Sequence, residues 1–423
     1  MRILLINTYD LRGGAARATW RLFEGLKETR HQVNLLVQEK RSADPDVILA
    51  ASPGSRLLNP FRPYLDFAIP LIHTRQRVLF STAMIPDKIV EQIDRLNPDV
   101  VHLNWITGGF IRIESLAQIN RPLIWTFHDL WPFTGGCHNP LTCNSYKQTC
   151  GRCPILHSTR ENDLSKKVFQ RKQSVYSEIQ DMTITTPSRW LAQRVKESSL
   201  LGNRKVVVIP NGLDTSVFRS SGREGARERL NLPTGKKIIL FGAIRATETP
   251  LKGFRLLVQA LKILNRTDHQ LVVFGSSTAG KTGISGLDVR FFGLVNNLET
   301  LIDLYSAADV VAVPSYQEVF GQAASEAMAC GTPVVAFGAT GLLDIVAHKH
   351  TGYLARPFDT VDLAEGIRWV MEDPVRYRRI SENAAKQARE KFDIRETSIR
   401  YISLYREVIK RFNNSTEKFN IPG

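Results

Sequence analysis

Long apolar runs are missing from these 423 residues: no stretch of eighteen occurs, so no membrane-spanning helix is predicted. The N-terminal Met1-Arg2-Ile3-Leu4-Leu5-Ile6-Asn7 is too short for the apolar core of a secretory signal and runs towards a Gly turn. It reads as a first buried strand, and a cytoplasmic location is expected. Cysteine is scarce. Five in a chain this long do not make a disulfide scaffold. No Pro/Gly/Ser-rich tract or long charge run suggests a disordered arm. Acidic residues are in short supply, 41 against 56 Lys and Arg, a net charge of +15. The deficit is uneven: residues 1–210 hold 28 basic and 18 acidic side chains, residues 211–423 hold 28 and 23. A basic surface favours phosphorylated ligands, anionic lipid or nucleic acid, and is otherwise a plain solvated surface.

What is present is a regular alternation. Apolar residues make up 43 % of the chain, enough for two full cores at roughly 100–200 residues per domain. Short apolar runs at 3–6, 33–37, 100–103, 123–127, 182–185 and 206–209 read as strands. Helical patterns lie between them, at 16–28 and 86–96 among others. A second series has strands at 238–241, 270–274, 289–292, 310–313 and 333–336, and helices at 251–264, 298–307, 320–330 and 361–371. Strands alternating with helices predict parallel sheets, here two doubly wound α/β halves. Pro210-Asn211-Gly212-Leu213-Asp214 reads as the linker. The expected domains are 1–210, 211–385 and a C-terminal helix, 386–423, that packs back on the first. Two insertions, near 53–86 and 131–157, break the rhythm.

Four motifs carry chemistry. In the first, Glu318-Val319-Phe320-Gly321-Gln322 leads from a strand into a helix and Glu326 follows within it. The free N–H groups of such a helix start can hold a phosphate. In the second, Arg245 and Lys252 flank a loop between a strand and a helix, ending Leu251-Lys252-Gly253. Two cations there can neutralise a departing diphosphate. In the third, Gly13-Gly14 follows the first strand and allows close backbone approach. The fourth is Thr126-Phe127-His128-Asp129, with His128 just past a strand end, where open α/β sheets bind ligands. His102 reads equally as a functional or a core histidine, and Asn104 and Trp105 as candidate lining of an acceptor site. Cys137, Cys143, Cys150 and Cys153 crowd within 17 residues. That spacing predicts a tetrahedral structural zinc site, with free thiols or a Cys150/Cys153 redox pair as the alternatives.

With its Glu–seven residues–Glu motif, the sequence resembles family four of the retaining glycosyltransferases. The resemblance implies the GT-B fold, α/β, with two Rossmann-like domains facing a cleft. It implies that Glu318 binds the donor sugar and that Glu326 holds the ribose of a nucleotide. Arg245 and Lys252 would neutralise the diphosphate, His128 would contact a sugar hydroxyl, and Gly13 and Gly14 would face the phosphate. Phe320, Gly321, Gln322, Leu294 and Val295 would line the nucleotide. The donor would be a UDP- or GDP-sugar, and the acceptor hydroxyl would attack from the face the nucleotide leaves, the donor phosphate taking its proton. No Asp-x-Asp metal-binding carboxylate pair is read in the sequence, so no catalytic divalent metal is expected. The expected acceptor is lipid-linked or a saccharide, in polysaccharide or glycolipid synthesis. A peripheral place on the inner face of an anionic membrane is suggested by aromatic and basic residues in 57–86 and by a basic stretch at 166–172. No nucleic-acid partner is expected, because the basic residues are dispersed. The alternatives are a nucleotide-sugar epimerase of the same fold and, further off, a basic zinc-containing nucleic-acid-binding protein.

Overall fold

Runs such as Val-Val-His-Leu, Val-Val-Ala-Val and Val-Val-Ala-Phe bury every residue on both faces, as strands covered by helices on each side must. A computed structural model describes residues 1–50, 59–74, 78–277 and 284–419. The chain divides into two units, Met1–Ile209 with Thr397–Gly423, and Pro210–Glu396.

The first unit holds β1 (Arg2–Tyr9), β2 (Gln32–Glu39), β3 (Val47–Leu49), β4 (Val100–Leu103), β5 (Leu123–Thr126), β6 (Thr183–Thr186) and β7 (Lys205–Val208). They form one parallel sheet in the order β3-β2-β1-β4-β5-β6-β7. The second holds β8 (Lys237–Gly242), β9 (His269–Phe274), β10 (Val289–Phe291), β11 (Val310–Val313), β12 (Val334–Phe337) and β13 (Gly352–Ala355). Its sheet is also parallel, in the order β10-β9-β8-β11-β12-β13. Each sheet reverses its winding once, between β1 and β4 and between β8 and β11. Ligands of open α/β sheets bind outside the carboxyl ends of the strands at such a point.

The helix Gly14–Lys27 buries Leu22, Phe23 and Leu26 in one cluster with Ile3 and Leu5 of β1 and Val33, Leu35 and Val37 of β2. Tyr401, Leu404, Tyr405 and Val408 of the last helix complete that cluster. The long C-terminal helical pattern is two helices, Pro374–Phe392 and Ile394–Phe419. Asp393 breaks it: its backbone is extended and its carboxylate accepts from Thr215 Oγ1 and the Arg395 N–H. Leu213 N–H donates to Phe392 O and Ile394 N–H to Leu213 O, clamping the break to the linker.

The described parts of the two insertions share one small core. Phe80, Cys137, Cys153, Leu156, Leu164 and Val168 pack together, and Ser81 N–H donates to Gly136 O at 2.9 Å. A Cβ on Gly136 would sit 2.4 Å from the Phe80 ring. Arg56 and Leu57, and Arg75 and Arg77, lie outside the described residues. The basic stretch 166–172 is not an interfacial element. Val168 and Phe169 are core, Lys172 is fully buried, Lys166 pairs with Glu161, and Arg171 with Glu114. One Asp-x-Asp sequence was passed over, Asp44-Pro45-Asp46; it is spent on Lys27, whose Nζ lies 2.9 and 2.7 Å from the two carboxylates.

Candidate active site

In the second unit the site is assembled at the β8/β11 switch point by close glycine contacts. Gly253 has φ 71°, and a Cβ there would lie 1.9 Å from Pro314 O just past β11. Only glycine lets the turn Pro250–Lys252 press against that strand end. Tyr316 N–H donates to Leu251 O at 2.8 Å and locks the contact. Lys252 Nζ thereby meets Glu318 Oε1 at 2.6 Å. Ser315 Oγ donates to the same oxygen at 2.9 Å. Thr340 Oγ1 accepts from Glu318 N–H at 3.1 Å, and Gly341 N–H donates to Glu318 O at 2.8 Å. Glu318 is therefore held from three sides.

Gly321, with φ 100°, starts the helix Gln322–Ala329. Glu326 in that helix is 3 % exposed and its Oε2 accepts from Tyr305 OH at 2.7 Å. Phe320 was expected to line the nucleotide, and its ring is not available for that. The ring packs edge-on to Phe392 in the core, 5.6 Å between centroids, which leaves only its backbone for binding. Arg245, at φ 53°, donates Nε to Glu248 Oε2 at 2.8 Å and is 71 % exposed. The structure thus joins Lys252 to Glu318, while Arg245 is engaged with Glu248 on its own loop. Gly293, at φ 64°, accepts at its carbonyl from Gly275 N–H at 2.6 Å. Beyond it Leu294 is exposed and Val295 packs half-buried on the core.

In the first unit the β1/β4 switch point carries an aromatic pair, Tyr9 and Trp105, stacked at 5.9 Å. The Arg12 guanidinium lies 5.4 Å from the Tyr9 ring centroid. Gly13, at φ 95°, opens the helix Gly14–Lys27 without a capping side chain. Its requirement for glycine is conformational, because a Cβ there would meet nothing within 4 Å. His128 Nε2 lies 3.1 Å from Asn104 Oδ1, and burial pushes its pKa down to about 4. At neutral pH it is an uncharged imidazole. His102 is core: Nδ1 meets Tyr405 OH at 2.7 Å and Nε2 meets Thr126 Oγ1 at 2.6 Å, with its pKa pushed down to about 3 by burial.

Sequence reasoning passed over Asp129. Its Oδ2 accepts from Trp105 Nε1 at 2.8 Å and meets His138 Nδ1 at 2.6 Å, and its Oδ1 accepts from Trp131 N–H at 2.9 Å. Burial works to raise this carboxyl. The charge and hydrogen bond of His138, with the two tryptophan donors, outweigh it and hold the pKa below its ordinary value. His138 Nε2 continues to Ser81 Oγ at 3.1 Å. Ser81–His138–Asp129 has the order of a nucleophilic triad, but Ser81 and His138 are fully buried. The chain therefore positions Asp129 and Trp105 and attacks nothing. The adjacency of Asp129 to His128 was the available signal.

The cysteines do not form the expected zinc set. Among the described residues no three His, Cys, Asp or Glu side chains are placed to hold a metal ion. Cys137 and Cys153 are core members, Cys150 Sγ accepts from Gly135 N–H at 3.2 Å, and Cys143 donates to Ser145 Oγ at 3.4 Å. All are free. Burial raises the Cys137, Cys150 and Cys153 thiols, that of Cys150 to about 12, which keeps them protonated. Their sequence proximity reflects a small apolar core rather than ligand geometry.

A model described as Glycosyltransferase Family 4 matches residues 12–217, and one described as Glycosyl transferases group 1 matches residues 222–387. The chain is 35 % identical over 224 residues to the D-inositol 3-phosphate glycosyltransferase of Xylanimonas cellulosilytica, 49 % of this chain and 52 % of that one. It is 32 % identical over 285 residues to an uncharacterized glycosyltransferase of Methanocaldococcus jannaschii, 64 % of this chain and 70 % of that one. The chain spans about half the length of the first curated relatives it matches. Among solved structures it resembles sucrose-phosphate synthase from Thermosynechococcus elongatus, with TM-score 0.69 and 22 % identity over 97 % of this chain and 99 % of that one. It also resembles Anabaena HepE in complex with UDP-glucose, with TM-score 0.67 and 19 % identity over 96 % and 100 %. Family models over successive halves and a relative matched along most of its length lead to one conclusion: the chain belongs to the group 1, family 4 glycosyltransferases, on the GT-B fold.

Proposed function

We propose that the protein moves a sugar, with retention, from a UDP- or GDP-sugar to an acceptor hydroxyl in polysaccharide or glycolipid synthesis. The observation that carries this reading is the Lys252–Glu318 pair beside the Gly321 helix start. A lysine ammonium has three N–H donors and Glu318 takes one. The others suit diphosphate oxygens, as do the backbone N–H groups of the helix start. Glu318, fixed by Ser315 and Lys252, accepts from sugar hydroxyls, and Glu326 from the ribose. His128, neutral, accepts from or donates to a sugar hydroxyl. The leaving charge falls on side chains and backbone N–H groups, so no divalent metal takes part, and the donor phosphate takes the acceptor's proton. A neighbour solved with UDP-glucose supports a nucleotide-sugar donor.

A thermal-shift panel of UDP, GDP, ADP and their sugars tests the donor. One nucleotide at about 100 times its dissociation constant adds roughly 2.7 kcal/mol of stability, with or without EDTA. No shift with any of them defeats the reading. So does a shift that needs Mg²⁺ or Mn²⁺.

The acceptor is proposed to be lipid-linked or a saccharide, reached from a peripheral position on an anionic membrane. No described helix is long and apolar enough to cross a membrane. The support is the helix Arg62–Leu71 and its flanks, where Tyr64 is 74 % and Ile72 is 82 % exposed, with Phe61, Leu65 and Leu71 exposed beside them. Apolar residues in that arrangement suit an interfacial helix. Arg62 does not help, since its guanidinium is turned to the carbonyls of Gly109, Pro86 and Phe110. Co-sedimentation with vesicles should rise with anionic-lipid content, and Ile72→Asp with Leu65→Asp should abolish it. Wild-type pelleting by the double variant would refute the membrane assignment.

A further inference from the structure

In the first sheet β4 and β5 lie side by side, with Leu103 beside Trp125. The chain segments that leave their carboxyl ends therefore run together, and Asn104 meets His128 there. Asn104 is 3 % exposed. Its backbone N–H donates to Ile6 O at 2.8 Å, and its carbonyl accepts from Trp125 Nε1 at 3.0 Å. The side-chain amide is thus held between two neighbours. One end lies 3.3 Å from the backbone oxygen of His102, the other 3.1 Å from His128 Nε2.

The chemistry of those neighbours fixes which end is which. A carbonyl oxygen only accepts, so the end that faces His102 O is the NH₂ group. Turned over, the amide would set two acceptors against each other in a closed site. Oδ1 therefore faces His128, and it too only accepts, so Nε2 carries a hydrogen. His128 has a single N–H at neutral pH. Burial pushes its pKa down to about 4 and outweighs the opposing pull of the Asp129 carboxylate, which is itself taken up by Trp105, Trp131 and His138. With that one hydrogen on Nε2, Nδ1 keeps a bare lone pair. Nδ1 can then take a hydrogen bond but give none. A hydroxyl suits it, whereas a phosphate or carboxylate oxygen would set lone pair against lone pair. The histidine ring stays partly exposed while Asn104 is closed off, so the ring is the group a ligand meets.

We propose that Asn104 is a positioning residue: by accepting from Nε2 it fixes the tautomer of His128, so that Nδ1 accepts from a hydroxyl of a bound sugar. The tautomer stands on the hydrogen bonds alone, and the sugar rests on the glycosyltransferase reading. Long-range proton–nitrogen correlation spectra of the full chain, labelled with nitrogen-15, report the tautomer, and His128→Phe identifies the signals. At neutral pH the bare, downfield nitrogen should correlate with Hε1 alone, the pattern of Nδ1, and the protonated one with both Hε1 and Hδ2. A bare nitrogen that correlates with both hydrogens is Nε2 and overturns the proposal. Asn104→Leu is close in size and removes the acceptor, so the two nitrogen signals should move towards each other as the tautomers mix. A folded leucine variant with the unaltered pattern overturns the role of Asn104. The spectrum of the unaltered chain decides even where the variant fails to fold. UDP-glucose and GDP-mannose are then added, with UDP and GDP as controls. The nucleotide sugar that binds should move the Nδ1 signal upfield and leave Nε2 protonated, and the nucleoside diphosphate alone should not. Binding that leaves Nδ1 unmoved, or an equal shift with the diphosphate, overturns the sugar contact and leaves the donor reading standing. Binding by neither nucleotide sugar overturns the donor reading and the sugar contact together, while the tautomer is still read from the free chain.

Discussion

Lys252→Ala should lower kcat by roughly 10²–10³, the usual cost of removing one oriented charge from a developing anion. Glu318→Gln should fall into the same range, because the amide cannot hold Lys252 at 2.6 Å as an ion pair nor accept equally from the sugar. Both side chains are partly exposed, 30 % and 16 %, so the pair is worth little to folding. The melting temperature should stay close to that of the unaltered chain, which separates lost chemistry from lost structure. Arg245→Ala discriminates further. Its guanidinium is paired with Glu248 on the same loop, so a loss as large as that of Lys252→Ala would mean the loop re-forms around the donor. A loss of less than about tenfold would leave Lys252 and the helix start as the main anion holders. The readout is release of nucleoside diphosphate from the donor that passes the thermal-shift panel. Near-normal turnover by Lys252→Ala or Glu318→Gln would remove the donor-site assignment.

The strand pattern was legible because buried parallel strands are short, β-branched and bounded by turn residues. Runs at 100–103 and 310–313 coincide with β4 and β11. Two strands were not legible. β3 is three residues between Asp46 and Ala50, and β13 begins at Gly352 and contains no β-branched residue. The final helix read as continuous because the helical apolar period runs on through Asp393. The break is set by hydrogen bonds to Thr215 and Leu213, nearly 180 residues earlier in sequence. The same limit applies to the site. Gly253 and Lys252 were visible as a turn entering a helix. That the turn meets Glu318 depends on Pro314 O lying where a Cβ would stand. The cysteine spacing misled because proximity in sequence says nothing of whether thiols face one point or fill a core. Asp129 was missed for the converse reason: its partners Trp105, Trp131 and His138 are brought to it by separate stretches of loop.

Between pH 7 and about 8.5 the first unit should grow more stable, and Lys172 should be the cause. Its side chain is fully buried, its Nζ donates to Trp131 O at 2.5 Å and Thr134 O at 3.0 Å, and it lies 3.7 Å from the Trp131 ring centroid. Burial pushes its pKa down to about 7, against the opposing pull of the Asp129 carboxylate. An unfolded lysine titrates near ~10.4. From pH 7 upward the unfolded chain therefore carries a proton that the folded chain has shed. Stability rises with pH wherever the unfolded state binds more protons, here by up to roughly 1.4 kcal/mol per pH unit. Below pH 7 both states hold the proton and the slope vanishes. Above about 8.5 the unfolded thiols of Cys137 and Cys150 begin to ionise while burial keeps the folded ones protonated, which turns the slope back. The net gain is about 2 kcal/mol across the window. Lys172→Met keeps the bulk and removes the titration. Its stability should be lower at pH 8.5, since two buried carbonyls lose their donor, and flat from pH 7 to 8.5 after subtraction of groups common to both chains. Urea unfolding followed by tryptophan fluorescence reads this unit, because five of the six tryptophans lie in it. If the two chains differ by the same amount at pH 7 and 8.5, the lysine is charged in the fold throughout, and its role is that of a structural cation over Trp131.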